Sequence, residues 1–228
     1  MAMIADNLEQ VRARIARACL DAGRPVESVT LLAVGKRFPA AALRAAALAG
    51  QTRFGENLVQ EGVEKIAALA DLRAQLEWHL IGPLQSNKTR QVAEQFDWVH
   101  SIDRLKVAER LSAQRPAHLA PLQVCLQVNI SGEATKSGLA PGAVEAIAHA
   151  VAALPRLELR GLMAIPQPVE GRAAQRVPHR ALRLLFDALV ARGLALDTLS
   201  IGMSDDLEAA IDEGSTLVRV GTAIFGAR

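Results

Sequence analysis

The sequence predicts an α/β chain that closes as a (β/α)8 TIM-type barrel, one domain over residues 1–228. Three observations carry that expectation. Eight short apolar runs alternate with helical patterns at intervals of roughly 25 residues. The runs are mostly continuous rather than alternating, as in strands covered on both faces. The eighth run nearly ends the chain, whereas a helical pattern precedes the first. An N-terminal helix is therefore expected to fill the outer position left by the missing last helix. A doubly wound open sheet is the alternative, and no G-x-G-x-x-G follows any strand to support it.

Residues 4–22 place Ile4, Leu8, Val11, Ile15 and Cys19 at helical spacing, and Gly23 with Pro25 stops the helix. The first strand covers 29–35 and delivers Lys36 at its tip. Pro39 then opens an Ala- and Leu-rich helix closed by Gly50. A short strand, Thr52 to Gly55, leads through Glu56 and Asn57 into a helix carrying Val59, Val63, Ile66 and Leu69. Strand three, Glu77 to Ile81, runs into Gly82-Pro83, with Ser86 or Asn87 as a cap for the next helix. Strand four, Trp98 to Ile102, gives way at Asp103, another cap, to a helix near 104–113. Strand five, Leu122 to Ile130, is the longest; a polar loop over 131–138 and a helix from Pro141 to Ala153 follow. Strand six, Leu157 to Ile165, precedes a Pro/Gly/Arg loop at 166–178 and a helix at 179–192. Strand seven, Thr198 to Gly202, a short helix, Leu207 to Ile211, and strand eight, Thr216 to Val220, complete the series.

Composition narrows the function. Basic and acidic residues nearly balance, 26 against 24, and are interspersed, so the long-range basic field that nucleic-acid binding uses is missing. No stretch has the length of a membrane span, and the N-terminus carries Asp6 and Glu9 where a signal peptide would be apolar. Cys19 and Cys125 read as buried free thiols, which fits a reducing cytoplasm. There is no His/Cys cluster with metal spacing. With no tyrosine in the chain, one common general base is absent.

In a barrel of this kind function gathers at the C-terminal ends of the strands. Those ends carry Lys36, Asn57, His79, Asn129, Met163, Ser200 with Gly202, and Arg219 with Gly221 and Thr222. Lys36 reads either as a lysine leaving for solvent or as a partly desolvated amine able to attack carbonyls. Asn57 suits a helix cap or a pocket; His79 suits a pocket or a satisfied core position; Met163 suits packing. Arg219, among valines, needs an acceptor, either a ligand or a carboxylate such as Asp205 or Glu208. The turns Gly202-Met203-Ser204 and Gly221-Thr222 present backbone N–H groups where this fold often binds phosphate. An amine and a phosphate site on one rim fit pyridoxal 5′-phosphate. A Schiff-base sugar-phosphate aldolase would use the same two parts.

Several motifs in order then resemble one family. They are Ala33-Val34-Gly35-Lys36, Phe54-Gly55-Glu56-Asn57, Trp78-His79-Leu80-Ile81-Gly82-Pro83-Leu84-Gln85-Ser86-Asn87-Lys88, Gly161-Leu162-Met163, Leu199 through Asp206, and Val218 through Gly226. Nearly the whole chain is similar to the pyridoxal 5′-phosphate homeostasis protein family, which shares the barrel of the alanine racemase N-terminal domain. The resemblance implies a Schiff base on Lys36, phosphate held by Ser200, Gly202, Gly221 and Thr222, and Arg219 facing the pyridine nitrogen. Asn57, His79 and Met163 would line the pocket. Departures are Gly35 for the usual Ser, Arg37-Phe38 for Thr-Lys, Leu58 for Tyr, Leu80 for Phe and Ile201 for Met. Racemisation needs two bases. In alanine racemase the resemblance implies that the second is a tyrosine of another domain, for which this chain has neither residue nor length. A monomeric cytoplasmic carrier of the cofactor, delivering it to apo-enzymes without turnover, is the expectation; a racemase-like enzyme is the alternative.

Overall fold

Strand pairing closes the sheet on itself. In the computed structural model, which describes residues 2–133 and 137–226, eight parallel strands pair in chain order and the last pairs with the first. They are β1 (Thr30–Val34), β2 (Arg53–Glu56), β3 (Glu77–Leu80), β4 (Trp98–Ile102), β5 (Leu122–Gln127), β6 (Leu157–Met163), β7 (Thr198–Ser200) and β8 (Leu217–Val220). Leu31 lies beside Val218 and Ala33 beside Val220 at the closing seam. The expected (β/α)8 barrel is the observed fold.

The helices are α1 (Ala2–Asp21), α2 (Ala40–Leu48), α3 (Val59–Ala68), α4 (Thr89–Gln95), α5 (Leu105–Gln114), α6 (Val144–Ala152), α7 (Arg172–Ala191), α8 (Leu207–Asp212) and the single turn α9 (Thr222–Phe225). The main core lies between them and the strands, where Phe54, Trp78, Phe96 and Leu111 are fully buried. Each such side chain contributes about 1.5–3 kcal/mol by leaving water. α1 buries Leu8, Val11, Ile15 and Cys19 and packs against α2, α8 and α9, so it occupies the outer position that one turn of α9 cannot cover. The Asn7 side-chain amide donates to the Ile224 carbonyl at 2.9 Å and ties the chain's first helix to its last.

The barrel interior holds two apolar groups. Leu32, Val34, Ile81 and Leu217 fill one side, and Trp98, Cys125 and Met163 the other. Burial pushes the Cys125 thiol up to about 12, so it packs as an inert apolar group. His79, His100, Ser200 and Arg219 are buried as well, an unusual polar content for such an interior.

Three local expectations need correction. The loop at 166–178 ends early, because α7 begins at Arg172 and carries Pro178 inside it. Proline removes one helix N–H and crowds the preceding turn, which is why the sequence pattern halts there. Tertiary contacts outweigh that penalty: Arg172 pairs with Asp212 at 2.8 Å, Arg176 with Glu213 at 2.6 Å, and buried His179 with Asp206 at 3.0 Å. β5 stops at Gln127 rather than Ile130, since Val128 bridges forward to Leu139 and turns the chain out of the ladder. The middle of the polar loop that follows, 134–136, lies outside the described residues. Ser86, Asn87 and Asp103 make no capping bond; Asp103 instead accepts from Arg104 at 2.6 Å.

Candidate functional site

A cleft of about 570 Å³ opens at the C-terminal ends of the strands, a volume suited to a small ligand. Lys36, Asn57, Arg219, Gly221 and Thr222 all line it. The structure thus brings together five of the nine residues that the resemblance assigns to the cofactor; Asn129, also at a strand end, does not line the cleft.

Lys36 is half-buried just beyond β1. Its flanking peptides are clamped by one buried ion triad. The Lys65 ammonium donates to the Gly35 carbonyl at 2.7 Å, to Glu56 at 2.8 Å and to Glu61 at 2.7 Å. Glu61 in turn accepts the Arg37 backbone N–H. Arg37 has φ +66°, a left-handed backbone that a non-glycine residue adopts only under such constraint. Gly35 is the one residue type with room here: a Cβ would sit 2.6 Å from a Glu56 carboxylate oxygen and 2.9 Å from Leu43. Burial outweighs the Lys65 contact at Glu56 and lifts its carboxyl to about 7.

Asn57 follows directly on β2. Its carbonyl lies against Gly82, where a Cβ would come within 2.0 Å, so that glycine is what lets the β2 and β3 ends approach. Opposite, Arg219 projects from β8. Its guanidinium donates to the Ser200 hydroxyl at 2.7 Å, to the Ser200 carbonyl, and to the Ala164 carbonyl at 2.9 Å. The carboxylates considered as partners are engaged elsewhere or are not bonded to it; Glu208 bonds Arg14 at 2.7 Å. Burial lowers the Arg219 pKa to about 10, so it stays charged at neutral pH. Gly221 packs against Val34, with room for a Cβ only 3.0 Å from the Val34 carbonyl, and opens α9, whose first N–H groups have no helix carbonyl to bond.

The other four residues lie elsewhere. Ser200 and His79 are fully buried in the barrel interior, and the Ser200 hydroxyl is committed to Arg219 and His100. Met163 packs with Trp98 and Cys125. None of these three lines the cleft. Gly202, at φ +92°, is a packing position behind it, where a Cβ would meet Ala210 at 2.6 Å. The turn it starts does reach the cleft, through Met203, Ser204 and Asp205.

Sequence reasoning missed Arg14, which lines the cleft from α1 and donates to the Ser204 carbonyl at 2.7 Å. It also missed Lys65, which reads as an ordinary helix-surface lysine. His100 was discoverable: it interrupts the apolar run Trp98–Ile102 two residues after Trp98, hence on the same strand face. With Arg14, Lys36 and Arg219 against Asp205, the cleft favours an anionic ligand.

Residues 3–228 match the family model of the alanine racemase N-terminal domain. The chain is 61% identical to the pyridoxal phosphate homeostasis protein of Pseudomonas aeruginosa, over its full length and 97% of that relative. It is similar to PipY of Synechococcus elongatus PCC7942, solved with pyridoxal phosphate bound, at 39% identity and TM-score 0.86, covering 98% of this chain and all of that one. Alanine racemase of Clostridium difficile 630 shares the fold, with TM-score 0.75 at 15% identity, and this chain spans 57% of it.

Proposed function

The chain belongs to the alanine racemase N-terminal-domain family, and from that premise we propose that it holds pyridoxal 5′-phosphate on Lys36 and serves the homeostasis of that cofactor without turning over a substrate. The observation that carries the reading is the shared cleft: an amine at the tip of β1, a buried guanidinium on β8 and the glycine turn of α9.

The donor set fits the group. Lys36 would hold the cofactor's aldehyde through Nζ with loss of water, a covalent hold that water would reverse. Gly221 and Thr222, with Ser204, would offer N–H groups to the phosphate, whereas the Met203 N–H is already donated to Asp206 at 2.7 Å. Gly202 shapes the turn of Met203 and Ser204, and Ser200 acts one step back by orienting Arg219. Arg219 would donate to the ring nitrogen and so keep it unprotonated. The bound cofactor supplies an electron sink, which an arginine partner weakens. Asn57 and Ile81 wall the cleft, while His79 and Met163 are buried in the barrel interior and do not line it.

The residues facing Lys36 favour a carrier over a racemase, since Asp205 is the one carboxylate among the described residues lining the cleft. Among the described residues lining the cleft there is no His, Cys or Tyr, and the chain contains no tyrosine. Apo-enzymes that need the cofactor are the recipients in this reading, and the carrier acts as a cytoplasmic monomer. Among the described residues no helix is long and apolar enough to cross a membrane.

The test is the visible spectrum of purified protein incubated with pyridoxal phosphate, before and after borohydride, followed by peptide mass analysis. A yellow protein with a reduced pyridoxyl group on Lys36 is expected, and Lys36→Ala should lose the adduct entirely while retaining weak binding through the phosphate turn. A protein that stays colourless and unmodified would overturn the reading and leave a Schiff-base aldolase as the better account of the cleft. Turnover of an amino acid by the loaded protein would overturn the carrier assignment alone.

A further inference from the structure

A row of hydrogen bonds crosses the barrel from one mouth to the other. Glu77, at the start of β3, meets His79 Nε2 at 2.9 Å. His79 Nδ1 meets His100 Nε2 at 2.9 Å, and His100 Nδ1 meets the Ser200 hydroxyl at 2.8 Å. The same hydroxyl accepts from Arg219 at 2.7 Å. His79, His100, Ser200 and Arg219 are buried, and Trp98 stacks on His79 with ring centroids 5.2 Å apart. Glu77 and His79 line a hollow at the N-terminal mouth, where Glu77 also accepts from Arg53 at 3.0 Å.

With both rings neutral, the two ends permit only one direction of donation. Burial alone would raise the Glu77 carboxyl, but its contacts with His79 and Arg53 outweigh that and hold it at about 2, so it only accepts. Guanidinium only donates. His79 must therefore carry its proton on Nε2, and as a neutral ring it accepts on Nδ1 from His100 Nε2–H. His100 then accepts on Nδ1 from the Ser200 hydroxyl, whose lone pair accepts from Arg219. Every proton has a place, and each ring has a single allowed tautomer. In this arrangement a proton added to His79 would set its Nδ1–H against the His100 Nε2–H, and one added to His100 would set its Nδ1–H against the Ser200 O–H. Burial pushes both imidazoles below their ordinary range, in agreement with that arrangement.

We propose that Glu77, His79 and His100 are positioning residues for the ligand cleft, acting through Ser200 to fix the direction of the Arg219 guanidinium from the opposite mouth of the barrel. The proposal rests on the cofactor reading above only in supposing that Arg219 meets the cofactor ring. Its function is orientation: an isolated hydroxyl beneath Arg219 could rotate, whereas one locked to an oriented histidine pair cannot.

The experiment has two readouts. In cofactor-free protein labelled with 15N-histidine, two-bond 1H–15N correlations report which ring nitrogen carries hydrogen. His79 and His100 are both expected as neutral Nε2–H tautomers near neutral pH. Glu77→Ala should release both rings into mixed tautomers, shift the absorption maximum of bound pyridoxal phosphate and raise its dissociation constant by roughly 5- to 10-fold. Glu77→Gln, which still offers a carbonyl acceptor, should restore all three. Ser200→Ala cuts the row at its other end and should free His100 while leaving His79 as it was, which keeps the test intact if Glu77→Ala does not fold. An Nδ1–H or charged ring in the unsubstituted protein would overturn the proposal. So would a folded Glu77→Ala protein with unchanged tautomers, or with the same spectrum and affinity for the cofactor. If the unsubstituted protein takes no pyridoxal phosphate, the cofactor reading fails, and the tautomer pattern still accepts or rejects the row by itself.

Discussion

The two mouths of this barrel use the same kinds of charged residue in opposite ways. At the N-terminal mouth three arginines meet carboxylates near solvent, Arg53 with Glu77 at 3.0 Å, Arg73 with Asp97 at 2.7 Å and Arg160 with Asp197 at 3.0 Å, while buried Arg115 bonds backbone carbonyls. Water screens such pairs, and they stabilise little. A larger hollow of about 710 Å³ lies there, yet its charges already satisfy one another. At the C-terminal mouth two of the charges are desolvated and directed. Arg219 bonds the oxygens of Ser200 and Ala164, and Lys65 sits under Lys36 with 6% of its side chain exposed. Volume alone would choose the N-terminal mouth; the state of the charges distinguishes the two.

The most severe way to break that contrast is Lys65→Met. It strands Glu56, which is fully buried, and half-buried Glu61, and it releases the Gly35 carbonyl. Removing one partner of a buried ion pair costs about 3–5 kcal/mol, so urea unfolding should show a loss of that order. A loss below about 1 kcal/mol would mean that the triad behaves like the solvated pairs of the other mouth.

Next comes the pH dependence of the same triad. The Glu56 carboxyl is raised from an ordinary 4.5 to about 7, chiefly by burial. A raised carboxyl stabilises the fold below its unfolded pKa, and that contribution is lost as pH rises through the folded one. Relative to Glu56→Gln, the unsubstituted protein should lose up to about 3 kcal/mol between about pH 4.5 and pH 7 and nothing more above it. Denaturant unfolding of both proteins across that window checks the sign. The opposite slope would show that Lys65 prevails over burial and keeps Glu56 ionised.

The smallest effect is expected at the N-terminal mouth. Arg73→Gln removes a half-exposed pair and should cost at most about 1 kcal/mol. Affinity for pyridoxal phosphate, measured by absorbance titration, should not change. A several-fold loss of affinity would show that the solvated pairs also reach the cleft.

Much of the architecture was legible because it is local. Apolar runs of strand length, the helical stripe Leu8–Val11–Ile15–Cys19 and the glycine turns at 202 and 221 are patterns within a few residues, and each element exists where its pattern lies. Lys36, Asn57, Arg219, Gly221 and Thr222 were recognisable as rim residues because they directly end or follow strands or interrupt apolar runs there. Pro178 was misread for a reason of the same kind: local propensity forbids a helix that distant partners on α8 impose.

By itself, then, the sequence determined the barrel, the order of its strands, the helix that closes it and the lysine at its rim. Tertiary structure alone decided what the interior does. Whether His79, Met163 and Ser200 face the cleft or the barrel depends on strand tilt and register across the closed sheet, which no single segment encodes. His100 and Ser200 are a hundred positions apart and meet at 2.8 Å, while Lys65 becomes buried because the ends of β1 and β2 converge on it. Periodicity says that a side chain is inside; only closure of the sheet says what it meets there.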